Sequence, residues 1–181
     1  YALAATEVGL RDAALAGLVG TRDLGLRLGA LTATVTYDSR DNSFTPTRGL
    51  YLDLSLPWFR DAFGSDRDFE LLDLSAQYFL PLADRWFGGV RCGWRDSSDG
   101  TPFYLRPYVG LRGVQAVRYQ GEEVAEVEAE LRWQWRPRWS AVAFGGIGRA
   151  SIEAGDDETV AAGGVGFRYV IARTYGLHLG L

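Results

Sequence analysis

Several residue types are scarce in or missing from the 181-residue sequence. It holds no lysine, no methionine, one histidine (His178) and one cysteine (Cys92). A lone cysteine forms no intrachain disulfide, and one histidine with one cysteine offers no zinc-ligand set. The histidine also has no serine or cysteine nucleophile in a recognisable elbow motif. We therefore expect no enzyme activity, no metal site and no cofactor.

Long apolar runs and a positive net charge are also absent. No stretch of about 18 apolar residues exists, which excludes a transmembrane helix but not a strand that crosses a membrane. The formal net charge is −4, so nucleic acid is not an expected partner, and no small-molecule substrate is evident. Without a methionine at position 1 or a signal peptide, the sequence suggests a processed or partial chain.

What the sequence does contain is alternation with a period of two. In residues 126–136, "EVEAELRWQWR", the even positions are charged or polar and the odd positions are apolar. This period predicts a β-strand and excludes a helix. The same pattern recurs along the whole chain, which is therefore predicted to form a single domain, 1–181. Strands are predicted at 1–11, 24–37, 49–59, 69–82, 86–96, 122–136, 139–150, 158–173 and 175–181.

Either face of such strands could be the inside. A soluble sheet buries its apolar face, whereas a membrane barrel turns that face to lipid and its charges to the lumen. All 19 basic residues are arginine, which suits fixed, partly buried ion pairs better than lysine does. Charged positions predicted to line the lumen are Asp53, Asp73, Arg91, Arg95, Glu126, Glu128, Glu130, Arg132 and Arg168. Apolar positions predicted to contact lipid are Leu52, Leu54, Leu131, Val165 and Phe167.

Aromatic residues and connection lengths favour the membrane interpretation. Tryptophan and tyrosine fall at strand ends, as in the interfacial belts of membrane proteins. Connections near 83–85, 136–138 and 173–175 are short and should share a rim with the turn at 38–49, whereas residues 97–121 should lie at the other rim or fold inward. The pattern predicts an all-β fold, an antiparallel transmembrane β-barrel with an up-and-down meander. A soluble ligand-binding β-barrel remains the alternative.

Two segments carry a resemblance to a known family. Residues 35–55, "VTYDSRDNSFTPTRGLYLDLS", resemble the turn segment of bacterial surface-antigen barrels, the BamA/TamA family of outer-membrane assembly and secretion proteins. Residues 106–133, "RPYVGLRGVQAVRYQGEEVAEVEAELRW", resemble the family's long sixth outer loop, with its Arg-Gly motif at Arg112 and Gly113, and the following strand. The strand spacing between the segments also matches.

The resemblance implies that this loop lies inside the barrel, with Arg112 held against the inner wall. An arginine in a narrow lumen needs carboxylate partners because an unpaired buried charge is costly. Where family members place an aspartate partner, this chain has Gly146, so Glu128 and Glu130 are the expected replacements. The alternative is that Arg112 is a solvated loop residue.

The turn segment has a structural interpretation. Asp38, Arg40 and Asp41 can hydrogen-bond locally and pair with one another, and Pro46 and Gly49 can set the turn. We expect a stiff periplasmic turn that fixes the register of two strands.

The resemblance also implies a location and a function. Family barrels close with 16 strands, commonly after periplasmic POTRA domains; this chain has eight to nine strands and no visible POTRA segment, so a partial barrel, the C-terminal part of a larger one, is expected. The expected location is the bacterial outer membrane. The expected function is insertion or translocation of proteins there, with membrane lipid and unfolded outer-membrane or secreted proteins as partners. A passive pore or surface-antigen barrel with a plugged lumen is the alternative.

Overall fold

The structure is a computed structural model that describes residues 2–7, 26–152, 155, 157–172 and 177–180. Within these ranges, nine antiparallel strands form one sheet in which every strand pairs with its neighbours along the chain. The strands are Ala2–Glu7 (β1), Arg27–Asp38 (β2), Gly49–Phe59 (β3), Phe69–Ala83 (β4), Trp86–Ser97 (β5), Glu123–Arg136 (β6), Trp139–Ser151 (β7), Glu158–Ala172 (β8) and Leu177–Gly180 (β9).

The all-β meander predicted from the sequence is confirmed. The described strands form an open sheet, as expected of a partial β-barrel, because no pairing joins β1 to β9 among them. The helical segments of the described ranges are two single 3₁₀ turns, Asp61–Phe63 and Phe103–Leu105. Among the same residues, no helix is long and apolar enough to cross a membrane.

Strand boundaries agree with the sequence predictions to within a few residues. The second strand was expected from 24 but begins at Arg27, the fourth extends one residue further to Ala83, and the sixth starts at Glu123. Register slips in the pairing occur near the ends of β4, β6 and β8, between Pro81 and Ala83, Trp133 and Arg136, and Val170 and Ala172. The predicted strand parts at 8–11 and 24–25, and the turn at 173–175, lie outside the described residues.

The exposure of side chains on the two faces of the sheet shows which face is the inside. On one face the large apolar side chains are exposed, from 37% for Leu52 and 39% for Leu131 to 85% for Val165, and Leu54 is partly exposed. On the other face Glu126, Glu128 and Arg132 are buried beneath inward-folding segments. This is the reverse of a soluble sheet, because here the charged face is the inside.

The connections alternate between two rims, since successive strands run in opposite directions. The turns at 39–48, 84–85 and 137–138 share one rim, and the connections at 60–68, 98–122 and 152–157 start and end at the other. Aromatic rings cluster at the short-turn rim: Trp86 stacks on Trp133 at 5.5 Å between ring centroids, and Trp139 lies 4.9 Å from Tyr169. The predicted grouping of short turns is confirmed for the described turns.

Candidate functional site

Strand β6 supplies the inner wall of the candidate site. Its inward positions are every second residue, so Glu126, Glu128 and Glu130 stand in one row. On one of its two neighbouring strands each glutamate pairs with a glycine, which is Gly148 for Glu126, Gly146 for Glu128 and Gly89 for Glu130; the partners on the other side are Gly93, Arg91 and Phe144. Because a glycine has no side chain, the row of carboxylates faces open space on the concave side.

The long connection 98–122 fills that space as an inward loop. Its neck is a short antiparallel ladder, in which the Val109 amide donates to Tyr119 O at 2.9 Å and the Gly121 amide donates to Pro107 O at 3.1 Å. Beyond the neck, the chain turns at Leu111–Val114, where Gly113 has a φ of 86°. That left-handed conformation favours glycine and fixes the position of Arg112 just before it.

Arg112 makes the contacts that the sequence predicts. Its Nε lies 2.8 Å from Glu128 Oε1, and its Nη1 lies 2.5 Å from Glu130 Oε2. Its backbone amide also donates to Glu128 Oε2 at 3.2 Å, and its guanidinium lies 4.1 Å from the centre of the Phe144 ring. A solvated loop arginine would make none of these contacts. The role of this pairing in function stays a prediction.

The pairing of Arg112 belongs to a longer ion-pair network on the concave wall. The N–O distances are 2.7 Å for Arg168–Glu130, 3.5 Å for Arg91–Glu126, 3.9 Å for Arg91–Glu128, 3.1 Å for Arg95–Glu126 and 3.3 Å for Arg95–Asp73. Including Arg112, four guanidiniums and four carboxylates alternate across β4, β5, β6, β8 and the inward loop. We call this set the charge ladder.

The charge ladder also holds the backbone of the inward loop. Glu126 accepts a hydrogen bond from the Gly110 amide at 2.6 Å, Arg91 donates to Gly110 O at 2.9 Å, and Arg95 donates to Tyr108 O at 2.7 Å. Each bond involves an ionised side chain, and such bonds are stronger than neutral ones. The loop is therefore fixed at its tip and at its neck.

Two of the predicted lumen charges lie outside the ladder. Asp53 accepts hydrogen bonds from Thr36 at 2.7 Å and Tyr51 at 3.3 Å. Arg132 has no carboxylate within 4.0 Å among the described residues; its guanidinium lies 4.6 Å from the centre of the Phe87 ring and donates to Pro46 O at 3.4 Å. Arg132 thus contacts the β2–β3 turn and not the inward loop.

An apolar contact that the sequence did not predict completes the docking of the loop. Val109 and Leu111 are buried with Val124 and Ala150 of the wall. A Cβ at Gly146 would lie 2.9 Å from Leu111 Cδ2, and one at Gly148 would overlap Val109 Cγ1. The glycine found in place of the family's aspartate therefore leaves room for an apolar loop side chain. The only signal in the sequence is the run of glycines in β7.

Gly148→Ala is expected to dislodge the inward loop, because the added methyl overlaps Val109. Overpacking of this kind costs about 1–3 kcal/mol. Limited trypsin digestion should cut the loop faster in the variant, at Arg112 or Arg118, while the barrel remains folded. Gly145→Ala is the matched control, since its nearest neighbour would be Ala162 O at 3.9 Å. Equal cleavage rates in the two variants would contradict the docking described here.

The β2–β3 turn, residues 39–48, is held by its own side chains. Arg40 pairs with Asp38 at 2.8 Å, as predicted. Asp41 does not join that pair; it accepts hydrogen bonds from the Thr47 hydroxyl, the Thr47 amide at 2.8 Å and the Arg48 amide at 3.2 Å. The prediction that all three charges pair together was wrong, because the backbone amides that close the turn are nearer to Asp41.

The turn also reaches further into the barrel than the sequence indicates. Thr45 is buried, and Pro46 O accepts the hydrogen bond from Arg132 on the wall. Gly49, with a φ of 114°, ends the turn where a side chain would overlap Ser39 O. The β2–β3 turn, which was expected only to set strand register, thus forms a second inward segment at the short-turn rim.

The carboxylate of Asp41 makes the stability of the turn depend on pH. Burial raises the pKa of Asp41, but hydrogen bonds from Thr47 and Arg48 outweigh it and hold the pKa below its usual value. The stabilisation is therefore complete above the unfolded pKa of about 3.9 and is lost as the pH falls through the lower folded pKa. The free energy of unfolding should be larger for the wild type than for Asp41→Asn, and this difference should be largest above pH 4. A difference that stays constant at lower pH would contradict this.

The comparison with known protein families agrees with the described geometry. No curated relative matches the chain. Residues 27–144 match the model of the Omp85 superfamily domain. The matched range runs from the start of β2 into β7, and it includes the inward turn, the inward loop and the row of glutamates. Because the match covers more than half of the sequence, the chain belongs to the Omp85 superfamily, whose members are bacterial outer-membrane proteins.

Proposed function

We propose that the protein is an outer-membrane β-barrel of the BamA/TamA type, which assists the insertion or translocation of proteins at the bacterial outer membrane. The observation that carries the proposal is the inward loop. Its Leu-Arg-Gly motif is anchored inside the barrel by Arg112, through Glu128 and Glu130. The proposed partners are outer-membrane lipid on the apolar face and unfolded outer-membrane or secreted proteins as clients. No catalytic step is proposed.

The exposed apolar face supports the membrane location. Val165 and Phe167 on β8 are 85% and 55% exposed, and Val127 and Ile147 are 40% and 49% exposed at paired positions of β6 and β7. An apolar surface of this kind would be unfavourable in water and matches the lipid-facing band of a barrel. A soluble ligand-binding barrel would need those side chains in its interior.

The filled concave side argues against an open pore. The inward loop covers the wall at β5–β7, and the β2–β3 turn covers it near Arg132. A passive barrel with a plugged lumen would have the same fold, so the cellular effect of losing the protein distinguishes the two functions.

Depletion of the protein in its own bacterium is the test. If it assists insertion, folded outer-membrane proteins, recognised by their heat-modifiable migration, should decrease and unfolded forms should accumulate. The wild type and Arg118→Gln should restore them, because the Arg118 side chain lies over the Tyr119 ring, at 5.5 Å, and is not a member of the charge ladder. Arg112→Gln should not. Unchanged levels of folded outer-membrane proteins after depletion would reject the proposal and favour a passive barrel.

A further inference from the structure

A cavity of about 400 Å³ lies between the two inward segments. The β2–β3 turn closes it on one side with Arg40 and Phe44, and the tip of the inward loop closes it on the other with Arg112. The wall between them contributes Arg91 and Arg168. Arg112 and Arg91 also dock the loop and Arg40 also holds the turn, so one cavity gathers arginines from the turn, the loop and the wall.

The ladder groups most exposed to the cavity are guanidiniums. The side chains of Arg91, Arg112 and Arg168 are 27–37% exposed, whereas those of Glu128 and Glu130 are 6% and 19% exposed. In the charge ladder the carboxylates therefore lie behind the guanidiniums that they orient. Four arginines and two glutamates line the cavity, and two further carboxylates beside it, Asp38 and Glu126, pair with Arg40 and Arg91.

Several guanidinium donors remain available. Each guanidinium carries five N–H groups. Among the described residues, Arg168 forms its ion pair through Nη2 alone, and Arg112 uses Nε and Nη1. The remaining donors are fixed in place by the pairs already made, so a ligand would lose little entropy in ordering them.

We propose that this cavity binds a small divalent oxyanion, such as a phosphate monoester or a dicarboxylate. Each lining arginine already has a carboxylate partner, so a ligand with two negative charges, one toward the turn and one toward the loop, would compete better than a ligand with one. Guanidinium groups bind phosphate and carboxylate oxygens in pairs, and a partly enclosed site strengthens such contacts relative to water. The rings of Phe44 and Phe79 offer an apolar wall for the organic part of the ligand.

A bound oxyanion would connect the two inward segments, because Arg40 belongs to the turn and Arg112 to the loop. Binding to the folded state alone stabilises it by an amount that rises with the logarithm of ligand concentration. The ligand should therefore protect the inward loop from trypsin. The proposal does not depend on protein insertion, since a passive barrel would hold the same cavity.

The test is calorimetric titration of the folded full-length protein in detergent with glycerol 3-phosphate, with succinate and with uncharged glycerol. At least one of the two dianions should bind, glycerol should not, and the affinity should fall with added salt. Arg168→Gln and Arg40→Gln should each weaken binding about tenfold or more, the effect of losing a hydrogen bond to a charged group. Arg149→Gln is the matched control, because Arg149 is an exposed arginine paired with Asp157 in an outer connection.

Each outcome has a defined meaning. Arg40→Gln and Arg168→Gln remove different structural partners, Asp38 in the turn and Glu130 in the charge ladder, so weaker binding in both variants points to the cavity that the two arginines share. Binding of one dianion and not the other identifies the chemical source of the ligand. No binding of either dianion at millimolar concentration, or equal affinity in all three variants, would overturn the proposal.

Discussion

Arg112→Ala is expected to destabilise the folded barrel by about 3 kcal/mol, near the lower end of the cost of breaking a buried ion pair. The cost arises mainly at Glu128, whose side chain is 6% exposed and whose next guanidinium, that of Arg91, is 3.9 Å away. The side chain of Arg112 is still 37% exposed, so the loss of stability should stay below the upper end of the range for buried ion pairs. Urea unfolding followed by tryptophan fluorescence measures the change.

Double-mutant cycles separate this pairing from general loop packing. Arg112→Ala is combined with Glu128→Ala and, separately, with Glu130→Ala. Because each single change leaves a partly buried charge unpaired, the double variants should lose less than the sum of the single losses, by about 1–3 kcal/mol. Arg112→Ala with Asp73→Ala is the control, since Asp73 contacts the ladder only through Arg95. Additive losses of stability in both test cycles would show that Arg112 does not hold the inward loop through Glu128 or Glu130.

Leu131→Arg is expected to cost about 1–2 kcal/mol, between the cost of an arginine at the membrane midplane and its cost near the interface. Leu131 is exposed on the apolar face of β6, two residues before Trp133 of the aromatic rim. An arginine there would place a charge in the hydrocarbon of the bilayer. Unfolding by urea in lipid vesicles gives the free-energy change.

Ser75→Arg is the matched control, because it places the same side chain on the inward face. Ser75 pairs with Asp53 on the neighbouring strand, and its own strand carries Asp73 two residues away, so a new arginine would find carboxylates within reach. It should cost much less than Leu131→Arg. Equal costs at the two positions would contradict the assignment of faces.

The sequence predicts the strands because alternation is a local pattern. The inward position of Arg112 was implied by the resemblance of residues 106–133 to a known family, and the row of glutamates in the next strand then offered its partners. The docking of Val109 and Leu111 into glycine positions depends on which loop residue meets which strand residue, and a period of two carries no such information. The inward position of the β2–β3 turn has the same origin, since Pro46 O accepts its hydrogen bond from Arg132 of β6, 86 residues later.

The equal number of positive and negative groups in the charge ladder constrains how this molecule can change by mutation. Four arginines alternate with four acids, so loss of any one member leaves an unmatched ion in a confined space. A substitution that removes one of these charges should be tolerated when a nearby opposite charge is removed at the same time. Most single substitutions in the charge ladder should be harmful. In a deep mutational scan, accepted changes at these eight positions should therefore appear as compensating pairs, while the glycines beneath the loop should accept almost none.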